Sequence, residues 1–115
     1  MEVALRLENG RTVCERCLLA ETALARMRGL LGRRELVREE GILLRPASSI
    51  HMAFMRFPID ALFLDGDGRV LKIARDLKPW KMSSARRSKA VVELASGEAA
   101  RRGVEVGQRV LEDAN

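Results

Sequence analysis

With 115 residues, 47% of them hydrophobic and 32% charged, the chain has the composition of one globular domain that buries a core without metal or disulfide staples. Aromatics make up only 3%, with no tyrosine, which argues against a nucleic-acid module built on an aromatic stacking platform. No run approaches the roughly 18–20 apolar residues of a membrane span. The opening Met1-Glu2-Val3-Ala4-Leu5-Arg6-Leu7-Glu8 is too short and too charged for a signal peptide, so a cytoplasmic location is expected.

The net charge of +5 is unevenly spread. From Arg69 to Lys89 there are eight basic residues and one acid, Asp76, so this segment is +7 and the rest sums to −2. Such a stretch suits an anion, an acidic partner or nucleic acid. It equally suits a solvated face with a lysine-guarded edge strand.

Val3, Leu5 and Leu7 alternate as in a strand. Asn9-Gly10 then predicts a hairpin, with Arg11–Cys14 as its return strand. Cys14 and Cys17 form a lone Cys-x-x-Cys. Cys14 ends one strand-like run and Cys17 begins another at Leu18–Ala20, a spacing across a turn that suits two reduced, partly buried thiols. A redox pair or a metal shared between chains are the alternatives. Thr22 is a good helix N-cap, and Leu24, Met27, Leu30 and Leu31 follow at helical spacing up to Gly32. Ile42–Leu44 reads as a short strand and Ile50–Phe57 as extended chain. Ala61–Asp65 and Arg69–Leu77 read as two strands around the Gly66-Asp67-Gly68 turn. Lys81–Lys89 reads as a basic loop. Ala90–Leu94 is apolar on both faces, hence a central strand. A one- or two-turn helix is expected over Ser96–Gly103 and a last strand over Arg109–Leu111. Many short strands with two small helices predict an α+β, mainly β domain, a compact antiparallel barrel or sandwich over residues 1–115.

Three motifs carry a family resemblance. Arg28-Gly29-Leu30-Leu31-Gly32-Arg33, Phe57-Pro58-Ile59-Asp60-Ala61-Leu62-Phe63-Leu64-Asp65 and Val91-Val92-Glu93-Leu94-Ala95-Ser96-Gly97, in that order and spacing, resemble the domain of unknown function 192 family. The resemblance covers about Val3 to Val110. It implies a small β-rich barrel- or sandwich-like domain and no established activity. Many relatives look like Trp-Met-Lys-Asn-Thr where this chain has His51-Met52-Ala53-Phe54-Met55, so polar positions there are apolar here.

The stretch from Ile50 to Trp80 holds all the aromatics and the single histidine. Within it Asp60 lies in a segment apolar on both faces, so it is expected to be buried and paired, by Arg56, by Arg28 or by backbone N–H groups after Pro58. Its role is a carboxylate tying down the Pro58 turn, or a general base or ligand anchor. His51 reads as a structural strand residue, lacking partners for a metal. Arg28, Arg56 and Arg75 could line a pocket, since arginine forks suit carboxylates and phosphates. Trp80 could stack on a ligand or plug the open end of a barrel. There is no glycine-rich phosphate loop, no Gly-x-Ser-x-Gly elbow and no second histidine, so no cofactor or metal is expected.

The leading expectation is a small soluble binding or accessory domain. Its arginine-lined site, formed by Arg28, Arg56, Asp60, Arg75 and Trp80, would take a small anionic or polar ligand or an acidic partner segment. A hydrolase or transferase using Asp60 with His51 or an arginine is the alternative. Non-specific nucleic-acid binding through residues 69–89 is the third reading.

Overall fold

Alternation and turn chemistry set the first hairpin. Val3, Leu5 and Leu7 are buried along β1 (Glu2–Leu7), Gly10 turns the chain at φ 91°, and β2 (Thr12–Ala20) returns antiparallel. The computed structural model describes residues 1–22, 25, 30 and 32–114, the side chain of Ala114 excepted. Among the described residues there follow β3 (Glu40–Leu44), β4 (Ser49–His51), β5 (Ile59–Leu64), β6 (Val70–Leu77), β7 (Met82–Ser84), β8 (Ala90–Ala95), the one-turn helix α1 (Glu98–Arg101) and β9 (Val110–Ala114). The helix expected between Thr22 and Gly32 falls mostly outside the described residues. The second expected helix is α1, shorter than the span read from sequence.

Seven strands form one mixed sheet in the order β6-β5-β8-β3-β2-β1-β9, with β2 and β3 parallel and the other neighbours antiparallel. The expected antiparallel barrel does not form. The edge strands β6 and β9 meet at one end, through an isolated bridge between Arg69 and Arg109 and the bonds Val110 N–H to Gly68 O, Val70 N–H to Gln108 O and Gly107 N–H to Val70 O. Gly68 permits that approach, because a Cβ there would lie 2.5 Å from the Val110 carbonyl oxygen. Beyond it β6 runs on as an edge with exposed Lys72 and Arg75, side chains that discourage further pairing.

Strands β5 and β8 are buried on both faces, as a central position requires. On one face Leu62, Leu64, Val92 and Leu94 join Leu5, Leu7, Val13, Leu43, Ala99 and Val104. On the other, Ile59, Ala61, Phe63 and Val91 join Ile42, Leu44, Ile50 and Met52. The second face is covered by a two-stranded sheet of β4 and β7. The expected long extended run Ile50–Phe57 is therefore a short strand followed by turns. The expected 81–89 loop contains β7, which pairs Met82 with His51.

The cysteines depart from expectation. Cys14 and Cys17 lie on one continuous strand, not across a turn, and both are fully buried. Three positions apart on a regular strand they would face opposite ways. A register shift against β1, with Val3 opposite Cys17 and Leu5 opposite Cys14, puts an extra residue in β2 and turns both thiols into the same core. The Cys17 thiol donates to Cys14 and holds it below the ordinary thiol value, while burial and that same pairing push Cys17 up. Gly41 on β3 makes room for them: a Cβ there would sit 2.8 Å from the Glu93 carbonyl oxygen and 2.9 Å from Cys14 Sγ.

Candidate functional site

Asp60 is 1% exposed and fully engaged. Its Oδ1 accepts the Asp76 N–H at 2.8 Å, and its Oδ2 accepts the Gly97 and Ala99 N–H groups at 3.1 and 2.9 Å. The carboxylate thus joins β5 to the left-handed kink of β6 at Asp76 (φ 50°) and to the start of α1. Backbone donors were among its expected partners, but they come from distant turns and not from the Pro58 turn. Neither arginine is needed. Asp60 shares its side of β5 with Leu62 and Leu64, the face that packs against Ala99.

Trp80 belongs to the opposite side. Residues 52–55 and 78–82 are laced together over the second face by Met52 N–H to Lys81 O, Trp80 N–H to Met52 O and Met55 N–H to Met52 O. Met52 points inward, whereas Phe54 is 73% and Trp80 66% exposed. Their ring centroids lie 4.9 Å apart at a 60° tilt. Both residues have left-handed backbones, φ 65° and 71°, which cost a bulky side chain on the order of 1 kcal/mol or more each. Met82, 74% exposed, lies on the adjoining strand. Trp80 therefore neither plugs a barrel end nor lines an enclosed pocket.

The remaining sequence candidates do not converge on Asp60. Arg56 is exposed in the turn after Phe54, and Arg75 is exposed on the edge strand β6. His51 is exposed on β4, in a different sheet from Asp60, so the structure does not assemble these two as a catalytic pair. Arg28 lies outside the described residues. Two cations of the +7 segment are engaged in place. Lys72 donates to Ser84 O and stands 5.7 Å from the Phe63 ring centroid, and Lys78 pairs with Asp76. A cleft of about 290 Å³ opens among Leu5, Leu43, Leu64, Val110, Lys89 and Arg109, and none of the candidate residues lines it.

Three buried charged groups, Arg102, Glu98 and Glu93, escaped the sequence reading. Arg102, 6% exposed, bonds Glu98 and Glu15 and the carbonyls of Thr12 and Arg38, so one guanidinium ties α1 to β2 and to the approach to β3. Glu98 is held below the usual carboxylate range by Arg101 and then by Arg102. Nothing in the local pattern separates Arg102 from the exposed Arg101 beside it.

The third is Glu93, at the centre of β8 and 8% exposed. Its register neighbours are Ile42 on β3 and Ala61 on β5. Burial alone pushes its carboxyl up to about 7. An acid inside a strand apolar on both faces, the signal that singled out Asp60, was equally present here. Among the described residues no group of three or more His, Cys, Asp or Glu side chains is placed to hold a metal ion, and no helix is long and apolar enough to cross a membrane.

Comparison with known proteins agrees with this architecture. No functionally curated protein matches the chain. A crystal structure of a protein of unknown function from Novosphingobium aromaticivorans superposes with a TM-score of 0.81 at 30% identity, covering 96% of this chain and 84% of that one. A crystal structure from Sinorhizobium meliloti, provisionally described as a transcription regulator, superposes with a TM-score of 0.87 at 27% identity, covering 97% and 94%. A family model matches residues 5–111, nearly the whole chain and all three sequence motifs, and the protein therefore belongs to the DUF192 family, described as an uncharacterized ACR.

Proposed function

We propose that this domain is a recognition module that docks an acidic segment of a partner protein, anchored by a large apolar side chain, on the surface formed by Phe54, Trp80 and Met82. The observation that carries this reading is the exposed Phe54–Trp80 pair, held together on two strained backbone positions. Folding gains little from placing large apolar side chains in water on left-handed backbone, whereas a binding surface gains from rigid aromatic anchors. Charge complementarity selects the partner. Arg56 and Lys81 flank the rings in sequence, both are exposed, and neither has a carboxylate partner among the described residues.

One feature weighs against nucleic acid. The rings are tilted onto each other and offer no parallel platform for successive bases. The description of the Sinorhizobium protein makes DNA a necessary comparison all the same.

Trp80 is the single tryptophan, so its emission reports on the surface directly. A glutamate-rich peptide carrying one leucine or phenylalanine should blue-shift that emission saturably, and Phe54→Ala should weaken binding about tenfold, as for loss of an aromatic anchor. The glutamine counterpart of the peptide and a single-stranded oligonucleotide serve as controls. No response to the acidic peptide at millimolar concentration, or an equal response to either control, would overturn the reading.

A further inference from the structure

The buried carboxyl of Glu93 stands apart from every other buried charge. Asp60 has three N–H donors, Glu98 has two arginines, and Arg102 has two carboxylates and two carbonyls. Glu93 has no hydrogen-bond or ion-pair partner among the described residues, although it is more than nine-tenths buried. Buried polar groups are normally satisfied, and a lone carboxyl in apolar surroundings is expensive. No buried side-chain oxygen or nitrogen among the described residues lacks both a partner and solvent. The Glu93 oxygens, having no partner, must therefore keep a narrow contact with solvent.

The neighbours of the carboxyl follow from the register. On the Glu93 side of the sheet the row runs Ala74 on β6, Ala61 on β5, Glu93, then Ile42 on β3. Val91 and Ala95 flank it along β8. The two alanines put only methyl groups beside the carboxyl on one side, and its other register neighbours among the described residues are aliphatic. Met52 and Ile50 of the covering layer belong to the same cluster.

We propose that Glu93 anchors a ligand site for an organic cation, a primary ammonium group carried on a short apolar chain. This goes beyond the docking surface and is independent of it. A carboxylate only accepts, so its complement must donate, and an ammonium brings three N–H donors in a compact head. The aliphatic neighbours among the described residues suit methylenes. A divalent metal is excluded as occupant by its need for several ligands, since among the described residues no group of three or more His, Cys, Asp or Glu side chains could hold one.

The test uses thermal unfolding of the whole chain at pH 8 and physiological salt, with n-butylamine as probe and n-butanol and tetramethylammonium as controls. Butylammonium should raise Tm saturably, by about 5 °C at a tenfold excess over its Kd. The controls should leave Tm unchanged, and Glu93→Gln should abolish the butylammonium shift. Without ligand, Glu93→Gln should be the more stable protein at pH 8, because it removes an unpaired buried charge. Absence of a saturable shift in the parent protein, or an equal shift in Glu93→Gln, overturns the proposal. So does a Glu93→Gln protein that is less stable than the parent or unfolded, since the carboxylate would then have a partner within the folded chain.

Discussion

Replacing Asp60 by alanine tests how the two ends of the fold are held together. The carboxylate accepts three backbone N–H groups from residues 16, 37 and 39 positions away. The Ala99 N–H is buried with it and is left without a partner when the side chain is removed. The Asp76 and Gly97 donors lie at exposed residues, so water reaches them and recovers much of their loss. An orphaned buried donor costs about 1–3 kcal/mol, and each charge-assisted bond traded for water costs somewhat less. Removing the buried charge offsets part of this. The net destabilisation is about 3 kcal/mol, a large share of the roughly 5–15 kcal/mol typical of a domain.

Urea unfolding followed by far-UV circular dichroism reads this directly. With a slope of roughly 1.5 kcal/mol per molar urea, the midpoint should fall by about 2 M. Asp60→Asn keeps one acceptor oxygen and turns an N–H group towards the remaining donors, so its midpoint should lie between the two. A midpoint for Asp60→Ala within about 0.5 M of the parent would refute the reasoning, because the three donors would then be satisfied without it.

Three further outcomes follow from buried groups. Glu93, raised from 4.5 to about 7, keeps between those values a proton that the unfolded chain has released; stability therefore falls as pH rises, by about 3 kcal/mol once the native carboxyl has ionised, and the difference between parent and Glu93→Gln measured by urea unfolding at pH 5 and pH 8 should grow by that amount. Arg102→Ala takes one of Glu98's two arginines and removes the donor to two carbonyls and should cost about 3 kcal/mol, lowering Tm in a thermal scan by roughly 10 °C, with Arg102→Lys intermediate because one ammonium cannot span the same fork. Gly41→Ala drives a methyl group against the backbone oxygen of Glu93 and against Cys14 Sγ; it should cost about 2 kcal/mol by urea unfolding, and an unchanged midpoint would show that β3 and β8 can part freely.

Local signals in the sequence were read correctly where local chemistry decides. Asn9-Gly10 and Gly66-Asp67-Gly68 made their hairpins, and the two-sided apolar pattern of Ala90–Leu94 placed β8 inside the sheet. The parallel pairing of β2 with β3 joins strands separated by some twenty residues and has no local signature. Without it the sheet reads as antiparallel and closes too readily into a barrel. The bulge in β2 is likewise invisible, because the period-two rule that reads strands is what a bulge breaks. The arginine-lined site failed for a related reason. Proximity along Ile50–Trp80 suggested a cluster, but Asp60 and Trp80 are separated by the sheet itself, one on each side.

Asp60 and Glu93 carry the argument about function further than the arginines do. They stand on adjacent strands, one register position apart, with Asp60 opposite Leu94 and Glu93 opposite Ala61. That single step sends their side chains to opposite faces. On the first face the turn into α1 and the kink at Asp76 turn free N–H groups towards the sheet, and Asp60 uses all that reach it. On the second face the cover made by β4, β7 and their turns meets the sheet through apolar side chains such as Ile50 and Met52, and its laced backbone bonds to itself. One sequence pattern therefore gives a structural tie on one face and, on the other, a carboxyl with no partner among the described residues. A fold that had only to be stable would be served better by glutamine or leucine at position 93, which fit the same strand without the cost of an ionising group. The cost is explained if something outside the chain completes the carboxyl, and that is the question the butylammonium titration answers.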